Sequence, residues 1–419
     1  MTLRDSLRTR VYCGQLAIYD TKTHRELFLN QRDTELFLRY LQKDGAIDQP
    51  EKFASIIHGI KQFDLLEQRP PLLLPGRLHN ADLYTFACAH KLLHSVTLEL
   101  THRCNMCCRH CYVAPEMQSG KNELTTAQWK TVLAKLRDMQ VMEITLTGGE
   151  PFMRQDVFDI LSYLRKLGFT VTIYSNATVL SDSDIFRLAQ EQVNCFHTSL
   201  YSHISQKHDA VTGHKGSFDK TVDALHKLHT VGIATNIKHL IMQGMETDLD
   251  GMIALAKSLG ASLQPSLGLF PSQNGDCSPL SCEITDMDAL TSIYESWLSG
   301  NKISHQEERA SGPLCHAGHD RLSIAPDGTI YPCNVLKIPL GNVLHDDIAE
   351  IWANSETLIS LRQKKIEEIS GCADCKFAGY CSFCPAHSLA QNSVIDRPYA
   401  GACKRAEALC RAAENVRNL

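Results

Sequence analysis

The chain has 419 residues, 43% hydrophobic and 21% charged, the proportions of a globular protein rather than a disordered or membrane-embedded one. That length exceeds what one ordinary core supports, so two or three domains are expected. A net charge of −5 offers no general attraction to nucleic acid or to an anionic membrane. No apolar run reaches the roughly 18 residues that span a bilayer. Met1 to Arg10 has basic residues but no apolar stretch after them, unlike a secretory signal. No membrane partner and a cytoplasmic location are therefore expected. The 17 cysteines would stay reduced there, and ten of them fall in spacings that suit metal or cluster binding.

Residues 1–68 read as a small separate module. Val11 to Tyr19 and Arg25 to Asn30 are β-prone runs flanking the turn-like Asp20–His24, which predicts a hairpin. Asp33 is placed to cap a helix carrying Leu36, Phe37, Tyr40 and Leu41 on one face. A second helix is predicted after Pro50, with Phe53, Ile56, Ile57, Ile60 and Phe63 at helical spacing. Residues 69–94 form a linker and bridging segment, since Arg69–Gly76 is rich in helix- and strand-breaking proline.

From 95 to 300, strands and amphipathic helices alternate. Strands are predicted at 95–101, 143–147, 170–175, 195–201, 234–241 and 262–269, with helices near 126–140, 155–167, 182–192, 217–231 and 248–259. Thr125 to Gln128 offers a capping box, and Gly168 falls where a helix should stop. Trp129, Val132, Leu133, Leu136 and Met139 mark a buried stripe. Such alternation implies an α/β fold with parallel strands joined by right-handed crossovers. Active sites in barrels of this kind lie at the C-terminal ends of the strands.

The loop after the first of these strands carries Cys104-x3-Cys108-x2-Cys111. Three thiolates from one tight loop can hold three irons of a cubane and leave the fourth open to a small molecule, although most cubanes take four cysteines. Zinc is the alternative for closely spaced cysteines. With this spacing the chain resembles the radical S-adenosylmethionine (radical SAM) enzymes. The resemblance implies a partial (β/α)6 TIM-type barrel, a SAM-binding [4Fe–4S] cluster on Cys104, Cys108 and Cys111, and S-adenosyl-L-methionine (SAM) as cofactor. Gly148, Gly149 and Glu150 then match the segment that lies along the methionyl amine. His110 takes the family's usually aromatic position near the adenine. Ser175, Asn176 and Ser199 match ribose or carboxylate contacts, and Lys238 could meet the carboxylate as a point charge. The Ser199–Phe218 stretch resembles the family's loop after the fourth strand, with no role assigned to His208. Cys107 departs from the motif and reads as buried or spare.

Near the C-terminus, Cys315 and Cys333 flank a hairpin at Asp327–Cys333, followed by Cys372-x2-Cys375-x5-Cys381-x2-Cys384 and Cys403. A zinc ribbon is the plain alternative for such pairs. The order resembles the SPASM domain, taken here as residues 301–419, although the last pair of the run is one residue closer than usual. The resemblance implies two auxiliary [4Fe–4S] clusters, one on Cys372, Cys375, Cys381 and Cys403, the other on Cys315, Cys333 and Cys384. The fourth ligand of the second is unassigned among His319, Cys277, Cys282, Cys410 or an open site. The N-terminal module, in turn, resembles a winged-helix RiPP recognition element, which binds a leader peptide as an added strand. A plain accessory domain or a DNA-binding winged helix is the alternative. Without a basic cluster on its second helix, a nucleic-acid partner is not expected.

Together these parts resemble the radical SAM/SPASM peptide maturases, some of which form cyclophanes. The implied activity is 5′-deoxyadenosyl-radical modification of a ribosomally synthesised precursor peptide with a leader, through an intramolecular C–C or thioether crosslink. The auxiliary clusters would accept the electron left after bond formation or hold the substrate. An electron donor such as flavodoxin or ferredoxin is implied. Other SPASM activities, anaerobic sulfatase-type formylglycine formation or peptide epimerisation, are alternatives, as is an iron–sulfur or zinc redox regulator. No catalytic acid or base is assigned, with Tyr201 and Glu246 as barrel-end possibilities.

Overall fold

The computed structural model describes residues 6–21, 23, 25–42, 87–300 and 314–417, of which the side chains at 40–42 and 300 are not described. The chain opens with an antiparallel meander, β1 (Leu7–Tyr12), β2 (Gln15–Asp20) and β3 (Arg25–Leu29). The expected single run from Val11 to Tyr19 is two strands, because Cys13 and Gly14 take φ of 49° and 79° and reverse the chain. Helix α1 (Gln31–Gln42) follows and buries Phe37 completely. It is capped by Asn30, whose side-chain oxygen accepts from the Asp33 N–H at 2.9 Å, and not by Asp33. The expected second helix, with Phe53 to Phe63, and the linker at 69–76 lie outside the described residues.

Six parallel strands then pair in chain order: β4 (Ser95–Thr101), β5 (Glu143–Gly148), β6 (Thr170–Tyr174), β7 (Cys195–Ser199), β8 (Ala234–Leu240) and β9 (Ser262–Ser266). Helices α2 (Thr126–Asp138), α3 (Val157–Lys166), α4 (Asp182–Gln190), α5 (Ser205–Thr212), α6 (Ser217–Thr230) and α7 (Leu249–Ser258) fill the crossovers. This is the α/β partial barrel, and α5 is an addition to the expected helices. The capping box at Thr125 forms, and Gly168 turns away from α3 at φ 72°. Outward-facing Val96, Leu98 and Leu100 of β4 share one core with Trp129, Val132, Leu133 and Leu136 of α2.

After α8 (Met287–Gly300) comes a hairpin, β10 (Arg321–Ile324) and β11 (Thr329–Tyr331), with the short β12 (Gly341–Asn342) beside it. Strand β10 pairs in parallel with β4, so the sheet runs β12-β11-β10-β4 to β9. Leu322, Ile324 and Ile330 join the core that holds Leu98 and Ile144. The C-terminal segment therefore shares its sheet and core with the barrel. Helices α9 (Ile348–Asn354), α10 (Glu356–Gln363), α11 (Pro385–Asn392) and α12 (Ala400–Arg417) complete it. Helix α12 buries small residues, Ala402, Ala406, Ala408, Ala412 and Ala413, which lets it lie close to α8.

The N-terminal sheet covers the barrel floor, at the N-terminal ends of the strands. Arg8 donates to the Phe169 carbonyl at 3.3 Å and to Gln192 at 2.6 Å. Arg10 donates to the carbonyls of Val141 at 2.8 Å and Leu167 at 3.3 Å. Those acceptors stand just before β5, β6 and β7, and Leu167 closes α3, where a cation complements the helix dipole. Tyr12, Ala17 and Met142 form an apolar patch in the same seam.

Candidate active site

At the opposite end of the barrel, the three-cysteine loop leaves β4 and is held on two sides. The N–H groups of Cys107 and Arg109 donate to the carbonyls of Thr212 and Val211, each at 3.1 Å, so the last turn of α5 carries the loop. Gly149 and Glu150 donate their N–H groups to Thr101 and Arg103, both at 2.8 Å. A Cβ on Gly148 would stand 2.1 Å from the Thr101 oxygen, and one on Gly149 2.4 Å from that of Arg103. These glycines let the end of β5 close against the cysteine loop, a role distinct from the ligand approach expected of them. They also line the cavity.

That cavity, about 200 Å³, is bounded by Cys104, Cys108, Cys111, His110, Ser175, Asn176 and Ser199. Burial pushes the Cys104 thiol up to about 11 and Cys108 to about 12, with the neighbouring thiols adding to the shift. A metal bound there reverses this balance, since coordination deprotonates a thiol outright. Tyr201 bonds to Cys108 and Ser199 and sets its ring edge-on to His110 at 4.7 Å. Asn176 places its side-chain nitrogen 3.9 Å from Cys104 Sγ. Cys107, expected buried or spare, is exposed.

Glu150 stands behind the wall rather than on it. Its carboxylate is fully buried and accepts from Phe152 N–H, Asn176 N–H and the Ser175 hydroxyl, at 2.8 to 3.0 Å. Desolvation nonetheless raises its pKa to about 7. It positions Ser175 and Asn176 on the cavity. Lys238 also departs from expectation: its Nζ donates to Gln264 and lies 5.5 Å from the Tyr174 ring centroid, one layer from the cavity lining. Glu246 accepts from the Gly244 N–H at 2.9 Å and takes no part in the lining.

The cavity carries three imidazoles with an unpaired buried nitrogen: His110 Nδ1, His197 Nδ1 and His208 Nε2. Burial lowers each ring's pKa to about 4, so all three are neutral near pH 7. His197 stacks on Tyr174 at 4.5 Å, and His208 accepts from the Tyr201 N–H at 3.2 Å. Orphaned polar atoms of this kind cost free energy unless a ligand meets them, which fits a polar cofactor. His197 and His208 were not legible as site residues, because lone histidines in a strand and a helix carry no spacing signal.

Beyond Cys111, a buried polar relay leads to the C-terminal cysteines. Tyr112 bonds through its side chain to Thr147 and Asn334. Asn334 Oδ1 stands 3.3 Å from Cys333 Sγ. Gln273 donates to Glu99 at 2.6 Å and to the Asn334 carbonyl at 3.2 Å, and Lys337 Nζ pairs with Glu99 at 2.7 Å. Glu99 is wholly buried; burial opposes its charge, but His102 and Lys337 outweigh that and lower its pKa. The single charged residue of β4, set between Leu98 and Leu100, was the one sequence signal for this network.

Cys315 feels the charges of Cys333 and Cys384, which places these thiols together. Cys381 likewise feels Cys403, Cys372 and Cys375. Of the candidates for a fourth ligand, Cys410 faces Glu414, Lys376 and Tyr380, and His319 faces Leu361 and Arg362. Cys277 bonds to the Gly275 carbonyl, and Cys282 packs beside Tyr201, Met242 and Leu269. Among the described residues, no three His, Cys, Asp or Glu side chains close on one point as a single metal ion requires. Thiols spread in groups of three and four instead suit cubanes, whose cysteines bind separate irons.

A barrel working from such a cluster at its mouth is a cofactor enzyme. Residues 98–256 match the Radical SAM superfamily, and residues 315–376 match the SPASM iron–sulfur cluster-binding domain. The chain belongs to the radical SAM/SPASM family, whose members work with SAM, a [4Fe–4S] cluster and auxiliary iron–sulfur clusters. It is 30% identical to the mycofactocin maturase MftC of Mycobacterium tuberculosis (strain CDC 1551 / Oshkosh) over 73% of this chain and 81% of that protein. Against the AdoMet-dependent heme synthase of Methanosarcina barkeri identity is 26%, over 73% of this chain and 95% of that one. The crystal structure of Streptococcus suis SuiB bound to the precursor peptide SuiA superposes with a TM-score of 0.65 at 15% identity, covering 96% of this chain and 99% of that one. Among the described residues, no helix is long and apolar enough to cross a membrane.

Proposed function

We propose that this enzyme modifies a ribosomally synthesised precursor peptide, joining two of its side chains by a C–C or thioether crosslink. The observation that carries the reading is the fold match to SuiB, a protein solved with a precursor peptide, across 96% of this chain. A match of that extent takes in both the N-terminal sheet and the C-terminal cysteines. In this reading the β1–β3 sheet and α1 belong to the module that receives the leader peptide as an added strand. A single-electron donor such as flavodoxin or ferredoxin supplies the reducing equivalent.

Cys104, Cys108 and Cys111 would hold the cluster, with Gly148, Gly149, His110, Ser175, Asn176 and Ser199 around SAM. When bound, that pair supplies a 5′-deoxyadenosyl radical able to take hydrogen from an unactivated C–H. The chain's own contribution is geometry. Glu150 fixes the loop after β6, the α5 carbonyls fix the cysteine loop, and the neutral imidazoles offer hydrogen bonds without adding charge. Crosslinking removes one hydrogen atom to the radical, one proton, and one electron. Cys315, Cys333 and Cys384, or Cys372, Cys375, Cys381 and Cys403, would hold the group that receives that electron.

The test is iron and sulfide content after anaerobic reconstitution, with SAM cleavage measured alongside. Three cubanes predict about 12 irons, falling to about 8 when Cys104, Cys108 and Cys111 are all replaced by alanine. Mass loss of about 2 Da in a precursor peptide encoded near this gene would establish the crosslink, since two hydrogens leave. Turnover of a porphyrin substrate with no peptide modified would overturn the peptide reading.

A further inference from the structure

A second cavity, about 410 Å³, lies between the end of β9 and helices α8 and α12, and it shares no lining residue with the SAM-side cavity. Strand β9 is the sheet's edge among the described residues, and its Ser262, Gln264 and Ser266 are exposed, so this is the barrel's open side. The cavity also reaches Cys384. Its size is that of a site for a small ligand or one large side chain.

The walls are aromatic. His387 and Tyr399 stack in parallel at 4.8 Å, and Phe270 tilts against His387 at 5.2 Å. Tyr294 and Trp297 stack at 6.2 Å on α8. Within this apolar lining two buried polar atoms have no hydrogen-bond partner: His387 Nδ1, on a residue 2% exposed, and the Tyr399 hydroxyl, on one 4% exposed. The other side of the His387 ring bonds to the Leu269 carbonyl, so Nδ1 of the neutral ring is an acceptor. The Tyr399 hydroxyl faces the Cys384 N–H without closing a hydrogen bond to it, which leaves its own proton to give. Arg405, also on the lining, is paired with Glu283 at 2.9 Å, and its charge is therefore spent rather than offered to an anion.

We infer that this cavity is a specificity pocket for a phenolic side chain, a tyrosine of the substrate peptide held beside Cys384. A phenol brings a flat apolar ring to the aromatic walls. Its single hydroxyl can donate to His387 Nδ1 and accept from Tyr399, meeting both orphaned atoms at once. An indole donates but cannot accept, and a phenyl ring does neither. That the phenol belongs to a peptide rests on the peptide-modifying reading; the pocket's preference for a phenol does not.

The experiment is calorimetric titration of the anaerobically reconstituted enzyme, without SAM, using N-acetyl-L-tyrosinamide and N-acetyl-L-phenylalaninamide as probes. The tyrosine probe should bind roughly fivefold to tenfold more tightly, as expected for making hydrogen bonds that the phenyl analogue leaves unmade. Tyr399→Phe should shrink that preference while leaving the phenylalanine probe unchanged, and Trp297→Ala should weaken both probes. Iron content and far-ultraviolet circular dichroism confirm that each variant is intact. Equal binding of the two probes to the wild type, or no binding of either up to its solubility limit, overturns the pocket whatever the variants do. Tyrosine-probe preference without any modified peptide would leave the pocket standing and remove the peptide reading. Peptide crosslinking without that preference would do the reverse.

Discussion

The two ends of the barrel solve opposite problems. At the floor, Arg8 and Arg10 reach carbonyls that the loops before β5 and β6 leave free, and Gln192 completes the set. At the mouth, His110, His197 and His208 keep unpaired nitrogens around the cavity, and three thiols are held uncharged by burial. A satisfied seam stabilises; an unsatisfied one waits for a ligand. On the cofactor placement proposed above, stability and cofactor binding sit at separate ends of the same strands, so each can be perturbed alone.

Breaking the mouth should have the largest effect. Cys108→Ala is expected to abolish SAM-dependent release of 5′-deoxyadenosine while the auxiliary iron, about eight atoms, remains. Chromatography of the nucleoside product with iron analysis checks both halves. Next comes the polar relay between the three-cysteine loop and Cys333. Lys337→Met takes the ammonium from the fully buried Glu99 and leaves its carboxylate to His102 and Gln273, at a cost of about 3 kcal/mol. A thermal or denaturant midpoint unchanged by that substitution would show that the pair carries no stability.

Breaking the floor should be milder and confined to folding. Arg10→Leu removes charge-assisted hydrogen bonds to Val141 and Leu167 and should cost about 1.5–3 kcal/mol, with iron content unchanged. Loss of the SAM cluster in that variant would show that the ends are coupled after all. The smallest effect concerns His94, whose Nε2 lies 3.5 Å from Glu143 and whose Nδ1 lies 3.3 Å from the Tyr12 hydroxyl. Burial disfavours the imidazolium, but Glu143 outweighs it and raises the pKa above 6.5. The same pair lowers the Glu143 pKa below 4.5, against the partial desolvation of a carboxylate whose side chain is 45% exposed. The His94 contribution is thus full below 6.5 and lost as pH rises through its raised value; that of Glu143 is lost as pH falls through its lowered value. The difference in melting temperature between wild type and His94→Gln should peak between the two and shrink on either side. A difference that does not vary with pH would remove the pair from the account.

Much of the mouth was legible because its determinants are close in the chain. Cys104, Cys108 and Cys111 lie within eight residues, so their spacing alone brings them to one loop. The six strand–helix alternations carry their own periodicity, and with it the parallel order and the rim where the loop must sit. What stayed hidden has partners far apart. Glu99, Tyr112, Gln273, Asn334 and Lys337 span more than half the chain, and none has a neighbour that marks it. Glu150 reads as a ligand contact from its motif, yet folding turns its carboxylate onto the Phe152 N–H of its own loop and two donors of the next, Ser175 and Asn176.

By itself, then, the sequence determined the α/β alternation and the thiol loop, because short-range spacing and periodicity are written in order along the chain. Tertiary structure alone decided that β10 joins β4, that two arginines seal the floor, and that lone histidines and tyrosines converge on two cavities. Those outcomes depend on which distant surfaces are buried against each other, and burial is a property of the packed molecule rather than of any stretch of it.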